Sequence, residues 1–361
     1  MSMRASGFIL ACAGTLCAQD LVGDYPGRPP KAPLVTLSGL VGSGKMATDS
    51  TIVPQGPVAR VLWEEFQVKD GGKAQPVLRE TITCEFDEQG REVTRTDRQG
   101  SMGTKTVTTH QNGHVVSETS RFTSDGEPGG AQEWNYWTYD PSGHLTDFRR
   151  GRGNRIESHY TNFGYDQQGR LTDLEYHQGS DDALSSRSEY KYSDDGKTIE
   201  ESVHQDNQRF HWERLTLDDQ GHVLYAETHD QDPSGSEGRI ERSFKYDSKG
   251  RLIEQVTKLD PARGSESPIL PGKITVGYDD TKHMQEIVYS GGKESAKTII
   301  WLDERGAVLG SSTSLNGGPE SKTVLDCIHD SHGNWAECRR WGTHDGQREM
   351  NRLWRRVITY R

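Results

Sequence analysis

The sequence predicts an all-β chain of tandem antiparallel β-hairpins, about ten repeats forming an elongated, twisted or spiralling sheet. Three observations carry this expectation. One turn motif recurs along most of the chain, apolar and polar residues alternate on either side of each copy, and sustained helical periodicity is absent.

The motif is an aromatic or apolar residue, then Asp, two turn residues and Gly. Copies run from Phe86-Asp87 to Gly90, Tyr139-Asp140 to Gly143, Tyr165-Asp166 to Gly169, Tyr192 to Gly196 and Leu217-Asp218 to Gly221. They continue from Tyr246-Asp247 to Gly250, Tyr278-Asp279 to Lys282, Leu302-Asp303 to Gly306 and His329-Asp330 to Gly333, with a degenerate copy ending at Gly113. Successive glycines stand roughly 23 to 32 residues apart, the length of one hairpin and its return. In such a turn Asp accepts hydrogen bonds from backbone amides and Gly takes the positive φ of a bulged type I turn, so Asp-x-x-Gly is structural rather than catalytic.

Period-two alternation then assigns faces. Two residues before the motif aromatic stand Cys84, Trp137, Phe163, Tyr190, Leu215, Phe244, Val276, Ile300 and Cys327. Two residues after the motif glycine stand Leu145, Leu171, Val223, Leu252, Met284, Val308 and Trp335. These columns are the expected core.

Upstream, Arg4 precedes an apolar run from Gly7 to Leu16 that ends at Cys17-Ala18, which reads as a signal peptide over residues 1–18 and places the chain in the periplasm, at the cell surface or in the medium. The run Ile9-Leu10-Ala11-Cys12 offers the alternative of a lipoprotein anchored at Cys12. Residues 19–57 are rich in Gly, Pro and Ser and read as an irregular linker, leaving 58–361 for the repeats. No later apolar run is long enough to cross a bilayer as a helix, so no membrane span is expected. A net charge of -11 argues against nucleic acid as partner.

Tyr165-Asp166-Gln167-Gln168-Gly169-Arg170-Leu171 and Tyr246-Asp247-Ser248-Lys249-Gly250-Arg251-Leu252 resemble the YD repeats of bacterial Rhs-like proteins. The end of the chain, Asp330-Ser331-His332-Gly333-Asn334-Trp335 followed by Arg355 to Tyr360, resembles the terminal repeat of smaller exported members. In large members the resemblance implies a shell around a toxin and autocleavage at an Asp-Pro-x-Gly-x-x-Gly string. Asp232-Pro233-Ser234-Gly235-Ser236-Glu237-Gly238 matches that string but sits mid-chain, where a proline turn is the simpler reading.

The remaining candidates follow from side-chain chemistry. His114, His144, His222 and His283 share the position after the motif turn with Arg91, Arg170 and Arg251, which makes them repeat residues rather than metal ligands. No metal or cofactor is expected, and Gly42-Ser43-Gly44-Lys45 lacks the spacing of a phosphate loop. An acidic column of Asp147, Asp173, Glu200, Glu254, Glu286 and Glu337 reads as a solvated face. Parity points Trp134, Tyr136, Tyr160, Arg187, Trp212 and Arg214 away from the core, as a face for a glycan or an extended peptide. Cys327 and Cys338 flank one turn and form the candidate disulfide, with Cys84 a buried thiol. The expected function is therefore a non-catalytic envelope or secreted binding module whose partner is a glycan, a peptide or an envelope protein. The alternatives are a carbohydrate-active enzyme on the same scaffold and a shell or immunity-like partner of a toxin.

Overall fold

A computed structural model describes residues 56–361 apart from 70–71, 73, 125–126, 180–182, 207, 232–236, 261–270, 293, 305, 307 and 345–346. The signal peptide, Cys12, Gly42 to Lys45 and most of the Asp232 string lie outside the described residues.

The chain runs as consecutive antiparallel strands. β1 (Val58–Gln67), β2 (Val77–Phe86), β3 (Glu92–Gln99), β4 (Met102–Gln111) and β5 (His114–Ser124) come first, with the short β6 (Glu127–Pro128) beside the end of β5. Next are β7 (Glu133–Tyr139), β8 (Leu145–Arg152), β9 (Arg155–Tyr165), β10 (Leu171–Gln178), β11 (Leu184–Tyr192) and β12 (Thr198–Gln205). Then follow β13 (Gln208–Leu217), β14 (Val223–Gln231), β15 (Glu237–Tyr246), β16 (Leu252–Leu259), β17 (Gly272–Asp279) and β18 (Met284–Gly291). The last are β19 (Glu294–Leu302), β20 (Val308–Leu315), β21 (Ser321–His329), β22 (Trp335–His344) and β23 (Gln347–Tyr360).

The sheet closes. β1 pairs with β2 on one side and with β23 on the other, through Val61 opposite Ile358, Trp63 opposite Arg356 and Glu65 opposite Trp354. With β6 set aside, β5 pairs directly with β7, and 22 strands complete an antiparallel ring. The all-β hairpin reading stands, but the expected open, spiralling sheet is corrected to a closed β-barrel. The physical reason is that hairpin chemistry acts between neighbours, whereas closure depends on the twist and stagger accumulated over the whole ring. Closure also removes the two free edges that an open sheet would leave unpaired.

The expectation of no membrane span falls with it. Among the described residues no helix is long and apolar enough to cross a membrane. That criterion concerns helices only, and a closed barrel is the architecture that crosses bilayers with strands, so the exclusion does not hold.

Each turn is built as its chemistry requires. Asp140 Oδ1 accepts from the amides of Ser142 and His144, and Asp247 Oδ1 accepts from those of Lys249 and Arg251. Gly143 and Gly250 adopt φ of 86° and 74°, where a Cβ would be strained. A register shift at Thr138/Tyr139 and at Lys245/Tyr246 marks the accompanying bulge.

Neighbouring repeats are clasped by the motif tyrosines. The hydroxyls of Tyr165, Tyr192, Tyr246 and Tyr278 donate to the carbonyls of Leu145, Leu171, Val223 and Leu252 in the repeat before, at 2.8 to 3.1 Å. Where the next motif begins with tyrosine, the residue after the motif glycine stacks on that ring. His144 lies 4.6 Å from the Tyr165 ring and His222 4.7 Å from Tyr246, while Arg170 and Arg251 sit 4.1 Å over Tyr192 and Tyr278. His and Arg alternate there because each offers a flat group for the ring and a donor for its own turn aspartate.

The apolar columns gather on one face of the wall in four clusters. One centres on Leu145, Phe148, Tyr160 and Leu174, another on Ile199, Leu215, Ala226 and Phe244. A third holds Ile274, Ile287 and Ile300, and the fourth, around the seam, Trp63, Ile82, Trp335 and Trp354. Among the described residues no hydrophobic side chain between Cys84 and Leu145 is buried, so β3 to β5 form a sector of wall without such a cluster.

Candidate functional site

The aromatic and arginine residues singled out as a ligand face occupy alternate strands. Trp134 and Tyr136 lie on β7, Tyr160 on β9, Arg187 on β11, and Trp212 and Arg214 on β13. At about 4.8 Å per strand, Trp134 and Trp212 stand roughly 29 Å apart along the sheet, too far to grip one small ligand.

Trp134 and Tyr136 do point away from the apolar clusters, with ring centroids 5.1 Å apart. The Trp134 indole donates to the Gly153 carbonyl at 2.9 Å and lies over Gly151, where a Cβ would collide with it. Its position is therefore set by contact with the β8–β9 hairpin. Trp212 stands against His229 edge-on at 5.1 Å, with the Arg214 guanidinium 5.1 Å from its ring. Arg187 is exposed between Asp173 and Glu189.

Tyr160 is corrected from ligand residue to core. It is 1% exposed and packs between Phe148 and Tyr176, with centroids at 5.5 and 4.9 Å. Simple alternation fails in β9 because Asn162, with φ of 53°, sits in a bulge that brings Tyr160 and Phe163 to the same side.

The face opposite the apolar clusters is laced with charge pairs, and the acidic column organises it. Asp147 pairs with Arg149 and His159, Glu200 with Arg214, Glu254 with Lys245 and Lys273, Glu286 with Lys297, and Glu337 with Arg339 and Arg355. These carboxylates lie on β8, β12, β16, β18 and β22, and each meets cations on its own or adjacent strands.

The apolar face also carries ionisable groups toward the far end of its strands. Tyr190 donates to Glu201 at 2.9 Å, Arg242 approaches Glu213 at 3.5 Å, and His211 contacts Asp230 at 2.6 Å. Near the seam the buried Glu65 is held by Arg352 and by the Trp354 indole. Sequence reasoning missed this layer, although the alternation of Glu201, Glu213 and Arg242 with their core neighbours marks it once register is known.

Cys327 and Cys338 are directly opposed in β21 and β22, with Cα atoms 4.1 Å apart, and form a disulfide. A plain hairpin register would set them on opposite faces. The shift at Ile328/His329 puts them on one. Cys84 is a buried free thiol in the seam cluster.

No family model matches the chain, and no curated protein matches it. The resemblance to Rhs-like YD-repeat proteins is accordingly corrected: it rested on turn motifs, no model of such repeats matches, and the strands close into a barrel. Among solved structures, the chain is similar to a porin-like protein from Bacteroides uniformis at 11% identity, with a TM-score of 0.31 over 85% of this chain and 98% of that one. A porin-like protein from Bacteroides vulgatus covers 85% of this chain and 99% of its own at 10% identity and a TM-score of 0.19. A TcdB2-TccC3-Cdc42 structure matches 79% of this chain and 18% of its own at 9% identity and a TM-score of 0.29. Likenesses of this size carry no argument about what the chain does.

Proposed function

We propose that the chain is an exported, non-catalytic β-barrel of the bacterial envelope whose closed wall bounds a channel-like conduit for polar solutes. The observation that carries this reading is the seam, where β1 and β23 pair over nearly their shared length and leave the ring no edge. A sheet closed on itself encloses space, and rings of this size belong to the class that surrounds a water-filled or plugged lumen. Export is supported by Arg4 and the apolar run that ends at Ala18. The non-catalytic reading is supported by the engagement of Asp147, Glu200, Glu201 and Asp230, and of His159 and His211, in cross-strand pairs.

The test is electrical. The purified, folded chain is added to planar lipid bilayers, where stepwise conductance is expected, reduced by polyethylene glycols small enough to enter and indifferent to larger ones. Folded protein that neither inserts nor conducts would overturn the conduit.

A further inference from the structure

On the charged face, β1 to β4 enclose a depression of about 360 Å³ that differs from the rest of the wall. Its floor is made by four threonines, Thr81 and Thr83 of β2 and Thr94 and Thr96 of β3, with Thr83 directly opposite Thr96. Its rim carries Arg60, Arg98, Lys105 and Glu85. Elsewhere on this face many arginines and lysines are tied to carboxylates, as in the Glu200–Arg214 and Glu254–Lys273 pairs. Among the described residues, Arg60, Arg98 and Lys105 make no such pair, and the four floor hydroxyls have no side-chain hydrogen bond.

From this juxtaposition we propose that the depression is a binding site for a sugar phosphate. Three cations against one carboxylate leave two positive charges unbalanced, which matches the charge of about −2 on a phosphomonoester near neutral pH. Guanidinium forks and an ammonium grip phosphate oxygens by charge-assisted hydrogen bonds. The threonine hydroxyls, each able to donate and accept, suit the hydroxyls of a sugar ring laid on the floor, and Glu85 can accept from one more. The volume lies within the range of small-molecule pockets, about 300–1,000 Å³. The site makes no use of the conduit, so its binding test stands or falls independently of conductance.

The experiment is calorimetric titration of the folded full chain at low salt with glucose 6-phosphate, inorganic phosphate and glucose. Glucose 6-phosphate should bind about tenfold or more tightly than inorganic phosphate, a difference of about 1.4 kcal/mol, and glucose should not bind. The variant with Arg98→Gln and Lys105→Gln should lose binding. The variant with Thr83→Val and Thr96→Val should bind glucose 6-phosphate no better than inorganic phosphate. Because these side chains are unpaired, both variants should melt like the parent, and Arg60→Gln on a separate strand gives an independent third reading. Equal affinity of the parent for both phosphates would overturn the proposal, as would undiminished binding by the folded charge variant.

Discussion

The Tyr360 hydroxyl donates to Asp330 Oδ2 at 2.6 Å and accepts from the Asn334 amide at 2.7 Å, while its ring stacks on His332 at 3.8 Å. The last strand thus presents a tyrosine to the preceding turn, but it grips the turn aspartate itself where the internal tyrosines Tyr165, Tyr192, Tyr246 and Tyr278 grip a backbone carbonyl. Tyr360→Phe keeps the stacked ring and removes the hydroxyl, leaving Asp330 without one partner. The expected cost is about 1 kcal/mol. Hydrogen exchange should rise first in β1 and β23, next to the clasp, and an unchanged exchange pattern there would show that the seam does not depend on it.

The cystine closes a short loop across one turn. Replacing Cys327 and Cys338 together by Ser should lower stability by about 3 kcal/mol, the chain-entropy expectation for a loop of this length. Thiol titration of the unfolded, unreduced parent should find Cys84 reactive and Cys327 and Cys338 silent, with any further thiols assignable by mass to Cys12 or Cys17. A parent that yields Cys327 as a free thiol contradicts the disulfide.

Acid should loosen the turns. The His144 amide, with its imidazole and the Ser142 amide, holds the Asp140 carboxyl below the ordinary value of 3.8, and the Arg251 amide and guanidinium do the same for Asp247. A depressed folded value means that the stabilisation is present above the unfolded value and is lost as pH falls through the folded one. Melting temperature is therefore expected to hold above about pH 4 and to decline below it. Asp247→Asn, which retains an oxygen acceptor but no charge, should flatten that decline slightly. A parent whose stability rises on acidification would refute the account.

Tyr160 and Trp134 offer a direct contrast between core and surface. Tyr160→Ala empties the centre of the cluster around Phe148 and should cost about 3–5 kcal/mol. Trp134→Ala removes a half-buried indole from over Gly151 and should cost only about 1–2 kcal/mol. Urea unfolding of the two variants compares them, and a larger loss at Trp134 would reverse the assignment of faces.

The turns, the hairpins and the two apolar columns were legible in the sequence because each depends on residues within a few positions of one another. An aspartate that reaches amides two and four residues ahead, and a glycine that supplies positive φ, act locally wherever the strands travel. Parity also placed Trp134 and Tyr136 on the face away from Trp137, since β7 stays regular up to Thr138.

Tertiary structure alone decided the rest. The bulge at Asn162 moved Tyr160 into the core, the shift at Ile328 brought Cys327 to face Cys338, and the charged layer of Glu201, Glu213 and Arg242 emerged only when strands were set in register. Above all, the pairing of Val61 with Ile358 joins residues almost a whole chain apart. The physical reason is one of range: turn chemistry and alternation are set by neighbours. Closure is set by a sum of small strand twists and staggers over the entire sheet, a quantity that no single repeat contains.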